Sequence, residues 1–364
     1  MKILQIMSGK DPNGAVRYVV LLTHLLAARG HEIVVVQRPG TDLGPMNWPE
    51  GVEVVESTLQ RNATELRRIA AICRDRSIDV MHTHMSRANA FGALMRIFFR
   101  VPCVATAHKL NIQLHWPFND RVLCHNDESM RFERRWNLVA RRKLCKVPPF
   151  VDDREMDIPI EPREATRARF DIAPNRLTFI TFGNFIPRKG LIDIVEALPA
   201  IVRAGHNPLA LFCGWGGEAD YRKLIEARGD ARGVRDHFRF IERVSDTDRV
   251  HLMRAADLYV QASHVETGPL VVLEAMAQGL PVVGSNCGSM EDFVAQSTTG
   301  ELVPVAAPNE MAAAILRVVQ DGARRRAMGE AGRRRYEAEF SAAVNIPRIE
   351  AALHAAIQEC RGHR

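Results

Sequence analysis

Residues Ser263–Val283 read SHVETGPLVVLEAMAQGLPVV, and the rest of the chain is organised around this stretch. It sets one carboxylate, Glu266, just ahead of a predicted helix start and a second, Glu274, inside that helix. Gly268 suits the N-cap and Pro269 the first helical position, where a missing N–H costs nothing. Gly279 stops the helix predicted over Pro269–Gln278, Pro281 follows it, and Val282–Val283 opens a buried strand. The backbone amides near Leu270 and Val271 point unpaired out of the helix N-terminus, an end that suits an anion such as phosphate. Read plainly, Glu266 is a solvated acid. Glu274 sits in an apolar run, Leu270–Leu273 and Ala275–Ala277, so its carboxylate needs a partner.

Upstream of this stretch, short apolar runs alternate with helical patterns. Leu177–Phe182, Leu209–Cys213, Phe238–Ile241 and Leu258–Gln261 read as strands, and Leu191–Arg203 and Arg249–Ala255 as helices. Strict alternation of this kind argues for a doubly wound parallel sheet. Lys189 follows the first of these strands and precedes a helix, with Gly183 and Gly190 around it. An ammonium there, beside a helix N-terminus, suits an anionic group. Arg188 is a second cation in the same loop, and Asn184 offers one uncharged donor. Downstream, Glu310–Val319 and Arg324–Phe340 read as helices whose Arg triplets, Arg324–Arg326 and Arg333–Arg335, face solvent.

The N-terminal half repeats the rhythm. Ile3–Met7 and Ile33–Val36 are strands flanking a helix from Ala15, and the loop Ser8–Gly14 lies at the C-terminal end of the first strand, where such sheets bind ligands. It lacks the G-x-G-x-x-G dinucleotide pattern, which argues against a nicotinamide dehydrogenase. Thr64–Arg76 and Ala88–Phe99 read as helices, Ile78–His82 and Pro102–Ala107 as strands. His82, His84 and His108 stand at or just past strand ends; no carboxylate accompanies the first two, which points to structural histidines and away from a metal site. Arg131–Lys146, RFERRWNLVARRKLCK, reads either as a solvated basic helix or as an amphipathic membrane face anchored by Trp136.

A length of 364 residues suits two domains, and a hydrophobic fraction of 46% with 25% charged residues is that of a globular protein. No apolar run is long enough to span a bilayer. The seven cysteines are scattered singly, without a C-x-x-C pair, which reads as reduced thiols in a cytoplasmic protein. A net charge of +6 favours anionic partners, nucleotides and anionic membranes alike. No reader motif accompanies the charge, so nucleic acid is not expected.

With Glu266 and Glu274 in E-x7-E spacing inside GPL-x-x-LEAMA-x-G-x-PVV, the opening stretch resembles the signature of retaining glycosyltransferases of GT-B architecture, especially glycosyltransferase family 4. Gly183 to Gly190 resembles that family's G-R-x-x-x-x-K-G, with Asn184 where the Arg is expected. Asn13-Gly14-Ala15 stands where the family has Gly-Gly-Ala, so the first glycine is missing. Thr106-Ala107-His108 resembles the family's N-domain histidine segment, although a hydrogen-bonded strand-end histidine is an equal reading. Gly214-Trp215-Gly216-Gly217 resembles a G-D-G-P loop, and Val147–Asp152 a strand end before the interdomain linker.

The resemblance implies an α/β, GT-B chain: two Rossmann-like domains facing across a cleft. They would span residues 1–152, on the acceptor side, and 176–340, on the nucleotide-sugar side. A linker at 153–175 would join them, and a helix in 341–364 would return to the first. It implies retaining transfer of a hexosyl group from a UDP- or GDP-sugar to a hydroxyl of a glycan or glycolipid, of cell-surface polysaccharide or lipopolysaccharide type. Lys189, with Arg188, Asn184 and the amides at Gly268, Leu270 and Val271, would hold the diphosphate. Glu274 would hold the ribose, Gly14 would face the donor, and Glu266 and His108 would position the sugar. With no Asp-x-Asp motif at a strand end, neither metal nor cofactor is expected. The expected location is cytoplasmic, peripheral on the inner membrane face. The rival readings are a nucleotide-sugar epimerase and a catalytically silent binding protein of the same fold.

Overall fold

The computed structural model describes every residue except Pro12, Pro45, 152–157, Trp215, Thr267, His363 and Arg364. The start of the expected linker, Trp215 of the glycine loop and the last two residues of the C-terminal segment therefore lie outside the described residues. The chain divides into two compact units, one of Met1–Asp152 with Phe340–Arg364, the other of Asp153–Glu339.

The first unit is a seven-stranded parallel sheet in the order β3-β2-β1-β4-β5-β6-β7. Its strands are β1 (Lys2–Met7), β2 (Glu32–Gln37), β3 (Glu53–Glu56), β4 (Val80–His84), β5 (Cys103–Ala107), β6 (Arg121–Cys124) and β7 (Leu144–Lys146). The central strands are buried along their length, the continuous apolar pattern of a sheet covered on both faces. Helices α1 (Gly14–Ala28), α2 (Ala63–Asp75), α3 (Ser86–Phe99) and α4 (Asp127–Arg135) connect them. Gly14 is the first residue of α1, not the end of a loop, because the side chain of Asn13 caps the amides of Ala15 and Val16 at 3.0 and 3.2 Å.

The expected basic helix over Arg131–Lys146 is not continuous. Helix α4 ends at Arg135, Leu138 turns at a positive φ of 56°, and Leu144–Lys146 pairs with β6 as an edge strand.

The second unit is a six-stranded parallel sheet in the order β10-β9-β8-β11-β12-β13. A helix α5 (Arg163–Arg169) precedes it, inside the stretch read as linker, and packs on α8; the Arg163 guanidinium donates to the Ala256 carbonyl at 2.8 Å. Strands β8 (Leu177–Phe182), β9 (Pro208–Gly214), β10 (Phe238–Glu242), β11 (Leu258–Gln261), β12 (Val282–Ser285) and β13 (Gly300–Val303) alternate with α6 (Leu191–Arg203), α7 (Ala219–Ala231), α8 (Asp246–Ala255), α9 (Leu270–Ala277) and α10 (Met290–Phe293). Helices α11 (Pro308–Val319) and α12 (Gly322–Arg335) follow.

The Arg triplet at the start of α12 is not simply solvated. Arg324 reaches the buried carboxylate of Glu301 at 3.3 Å, and Arg325 reaches Asp257 at 3.3 Å. Helix α13 (Ala342–Gly362) packs on α1, β4, β5 and β6 of the first unit, where Glu350 pairs with Arg29 and His31 at 2.8 Å each.

In each sheet the strand order reverses once, between β1 and β4 and between β8 and β11. Ligands of doubly wound sheets bind beyond the carboxyl ends of the strands at such a reversal. The loops that leave β8 and β11 carry Lys189 and Glu266. Those that leave β1 and β4 lead to Gly14 and from His84.

Candidate active site

The site of the second unit is built by two loops locked together. After β8 the chain makes one tight turn, Pro187–Lys189, and Gly190 takes a left-handed φ of 63° before α6. A Cβ on Gly190 would lie 2.0 Å from the Ala262 carbonyl oxygen, so only glycine allows the loops to approach this closely. The amide of His264 donates to the carbonyl of Arg188 at 2.9 Å and closes the join.

That join sets the Lys189 ammonium 2.6 Å from Oε1 of Glu266, whose residue is 7% exposed. The same oxygen accepts from Ser263 Oγ at 2.7 Å and from Gln261 Nε2 at 3.0 Å, while Tyr259 donates to Gln261 Oε1 at 2.6 Å. Three donors on one oxygen fix the carboxylate and leave Oε2 to face the Arg188 guanidinium at 3.8 Å. Arg188 also donates to the Val265 carbonyl at 2.8 Å. Tyr259, Gln261 and Ser263 share one face because side chains alternate along extended chain. That period-two polar row was visible in the sequence and its meaning was not read there.

Gly288 supports the site from the next loop. Its φ is 55°, and a Cβ there would fall 1.6 Å from the Glu266 carbonyl oxygen. Asn184 is exposed on the β8 loop. Gly217 has a φ of 116° with the Phe185 carbonyl 2.3 Å from where a Cβ would be, which accounts for glycine in that loop.

Helix α9 begins at Leu270, one residue later than expected. Pro269 takes the N-cap position with an extended ψ of 95°, and Gly268 lies outside the helix. The far end follows expectation more closely. Gly279 is left-handed with φ 70°, and the amides of Gly279 and Leu280 return to the carbonyls of Met276 and Ala275 at 2.9 Å each. Glu274 is 1% exposed, and the partner it needs is Arg249 of α8, 3.3 Å away. Arg249 was missed in sequence reading. Its signal was an arginine placed among Val250, Leu252 and Met253, on a helix that buries it. Burial drives the Tyr259 phenol far above its ordinary range, and both carboxylates, Glu266 and Glu274, push the same way.

In the first unit, His108 follows β5 and belongs to a chain of rings. Its Nε2 lies 3.2 Å from His84 Nδ1, and its Nδ1 lies 3.4 Å from His125 Nε2. His84 Nε2 meets the Gln5 amide at 2.9 Å, and His125 Nδ1 meets the Val147 carbonyl at 3.2 Å. His82, beside them, is bound to Thr106 at 2.9 Å, and its proton affinity drops to a pKa of about 3 through burial. Among the described residues no group of three or more His, Cys, Asp or Glu is placed to hold a metal. All seven cysteines are free thiols.

Two parallel sheets, each with its loops gathered at a strand reversal, define a chain of two doubly wound α/β units. Residues 162–335 match the family described as glycosyl transferases group 1, and residues 13–147 match the glycosyl transferase 4-like domain. A phosphatidyl-myo-inositol mannosyltransferase of Mycolicibacterium smegmatis is 28% identical over 336 residues, covering 85% of this chain and 82% of that protein. A D-inositol 3-phosphate glycosyltransferase of Jonesia denitrificans is 27% identical, covering 91% and 88%. Among solved structures, Anabaena Alr3699/HepE in complex with UDP superposes with a TM-score of 0.83 at 18% identity, covering 98% of this chain and 100% of that one. The chain belongs to glycosyltransferase family 4, of group 1, and has the GT-B fold. It is a glycosyltransferase.

Proposed function

We propose that the protein transfers a hexosyl group, with retention of configuration, from a UDP- or GDP-sugar to a hydroxyl of a glycan or glycolipid. The observation that carries this is the Lys189–Glu266 pair, set by locked loops at the β8/β11 reversal. On donor binding the Lys189 ammonium passes from Glu266 to the diphosphate, assisted by Arg188, Asn184 and the amides at the start of α9. Glu266, released from the lysine yet still held by Ser263 and Gln261, turns to a sugar hydroxyl. His108 contacts the transferred sugar, and Glu274 the ribose. In the reaction the bond from the anomeric carbon to the diphosphate oxygen breaks. The acceptor oxygen bonds the same carbon on the same face, and its proton passes to the leaving phosphate. The cationic and amide donors carry the charge that a metal ion carries elsewhere.

The reading extends to a glycolipid acceptor at an anionic membrane. Helix α4 and the segment after it expose Arg131, Arg134, Arg135, Arg141 and Arg142. Asn137 ties this segment to the loop at 111–114, donating to the Asn111 carbonyl at 2.9 Å and accepting from the Gln113 amide at 2.7 Å. The tied loops expose Ile112, Leu114, Trp136 and Leu138, Leu114 at 87% and Leu138 at 75%. Exposed apolar side chains ringed by arginines are what an anionic lipid surface binds. Among the described residues no helix is long and apolar enough to cross a membrane.

A thermal-shift screen across UDP-, GDP- and ADP-sugars tests the donor, since a ligand of the folded state raises the melting temperature by mass action. Incubating the stabilising sugar without acceptor then separates the readings. Slow hydrolysis supports a transferase, conversion of the sugar would make the protein an epimerase, and no shift with any donor would leave a silent binding protein.

A further inference from the structure

Four residues from four neighbouring strands and loops form one hydrogen-bonded row across the carboxyl end of the first sheet: Gln5 on β1, His84 on β4, His108 after β5 and His125 after β6. The row ends on the Val147 carbonyl, which can only accept. His125 therefore carries its proton on Nδ1. If each ring is neutral, His125 Nε2 must accept, so His108 donates from Nδ1. By the same step His108 Nε2 accepts, and His84 donates from Nδ1. His84 Nε2 then accepts from the Gln5 amide, whose NH2 group must face it. As placed, Gln5 Nε2 is buried with no partner, and turning the amide by half a revolution sets that donor against His84. An uncharged row has this one solution. Any other requires an imidazolium.

We propose that His84 and His125 are positioning residues that hold His108 as an Nδ1–H donor. The proposal rests on the reading above that His108 contacts the transferred sugar. His84 compels the tautomer by donating to Nε2. His125 occupies the Nδ1–H group until a sugar hydroxyl takes its place, and its 3.4 Å link is the longest in the row, the one exchanged at least cost. The surroundings keep the rings neutral. Tyr18 of α1 packs against His84, His108 and His125 with centroids 6.3, 5.4 and 5.5 Å away, Phe150 lies behind it, and the tilted ring of His82 lies 4.2 Å from His84. Among the described residues no carboxylate pairs with any of these rings. Burial, with the neighbouring rings adding, holds His84 and His108 well below the ordinary histidine range.

Long-range nitrogen–proton spectra of the 15N-histidine-labelled full chain at pH 7 test this directly. Signals are assigned by His84→Leu, His108→Ala and His125→Phe. His84, His108 and His125 should all show the Nδ1–H pattern; an Nε2–H or imidazolium pattern at any of the three would overturn the row. In turnover, His84→Leu should lower kcat about tenfold, the loss of one well-placed hydrogen bond. KM for the donor and nucleotide affinity by calorimetry should stay unchanged, and His84→Gln, whose amide can still donate to His108, should recover most of the rate. A folding defect would instead lower both variants and the nucleotide affinity together, which would refute a positioning role. If His108→Ala keeps the wild-type rate, the sugar-contact reading fails. If it is slow while His84→Leu is not, that reading stands and the positioning role falls.

Discussion

The second unit holds its candidate groups by pairing opposite charges, whereas the first holds its histidines by hydrogen bonds along a row of buried rings. Lys189 with Glu266 and Arg249 with Glu274 are both cation–carboxylate pairs with little exposure. Such pairs are costly to break on one side, because the remaining charge is left in a low dielectric. The histidine row carries no charge to leave behind, and what it fixes is direction. A site that receives a diphosphate needs mobile cations held in reserve. A site that meets an uncharged sugar needs donors and acceptors of settled sense.

Breaking one side of a charge pair should give the largest effect. Glu274→Ala removes the buried one of two carboxylates on the Arg249 guanidinium, Asp246 remaining at 3.1 Å, and should cost about 3 kcal/mol of stability. Urea midpoints would show it, and an unchanged midpoint would mean that the pair is not holding the second unit. Because of that cost, ribose contact by Glu274 is better judged from Glu274→Gln, which keeps the shape and should weaken nucleotide binding in calorimetry. Lys189→Ala comes next. It should lower kcat/KM by about 10²–10³-fold, the scale of losing one preorganised charge-stabilising donor. A near-wild-type rate with saturating donor would take Lys189 out of the mechanism.

Acid should act chiefly on the first unit. An unfolded chain protonates its histidines below about 6.5, while buried His82 resists down to about 3 and His84 is likewise depressed. The unfolded state thus binds more protons in that window, so stability is full above pH 6.5 and falls with acid by about 1.4 kcal/mol per pH unit for each fully depressed ring. Glu133, raised by burial to about 7, runs the other way: its contribution is present below pH 4.5 and is lost as pH rises through 7. One carboxyl offsets one ring, and the remaining rings leave a net loss toward acid. Unfolding measured between pH 7 and 5 checks this, and constant stability across that range would contradict it. The smallest expected change concerns the lipid surface. Replacing Arg134 and Arg135 by Ser should weaken partitioning to anionic liposomes in sedimentation about thirtyfold, at about 1 kcal/mol per basic residue, without altering melting. Unchanged sedimentation would remove the membrane from the account.

The fold was largely legible because the buried parallel strands announce themselves as apolar runs between turn signals; Leu177–Phe182, Leu191–Arg203 and Leu258–Gln261 fall where periodicity puts them. Edge strands such as Glu53–Glu56 and Leu144–Lys146 were not legible, since a half-exposed strand of three or four residues has no period to read. In the site, Glu266, Glu274 and Lys189 stood out through their local strings. Arg249, Gln261, Ser263, His84 and His125 did not, because each acts through a partner brought near only by the sheet. The Arg131–Lys146 helix failed for a related reason: composition suggested amphipathic continuity, but pairing with β6 drew its last residues into the sheet.

Lys189 is already paired with Glu266, so a small anion must compete with that carboxylate for it. An anion such as inorganic phosphate would have to draw Lys189 from a carboxylate that two further donors hold in place. A ligand with two linked phosphates and a sugar to engage the freed acid loses nothing by that exchange. If Lys189 receives a diphosphate as proposed, this pairing selects ligands by how many groups they satisfy at once.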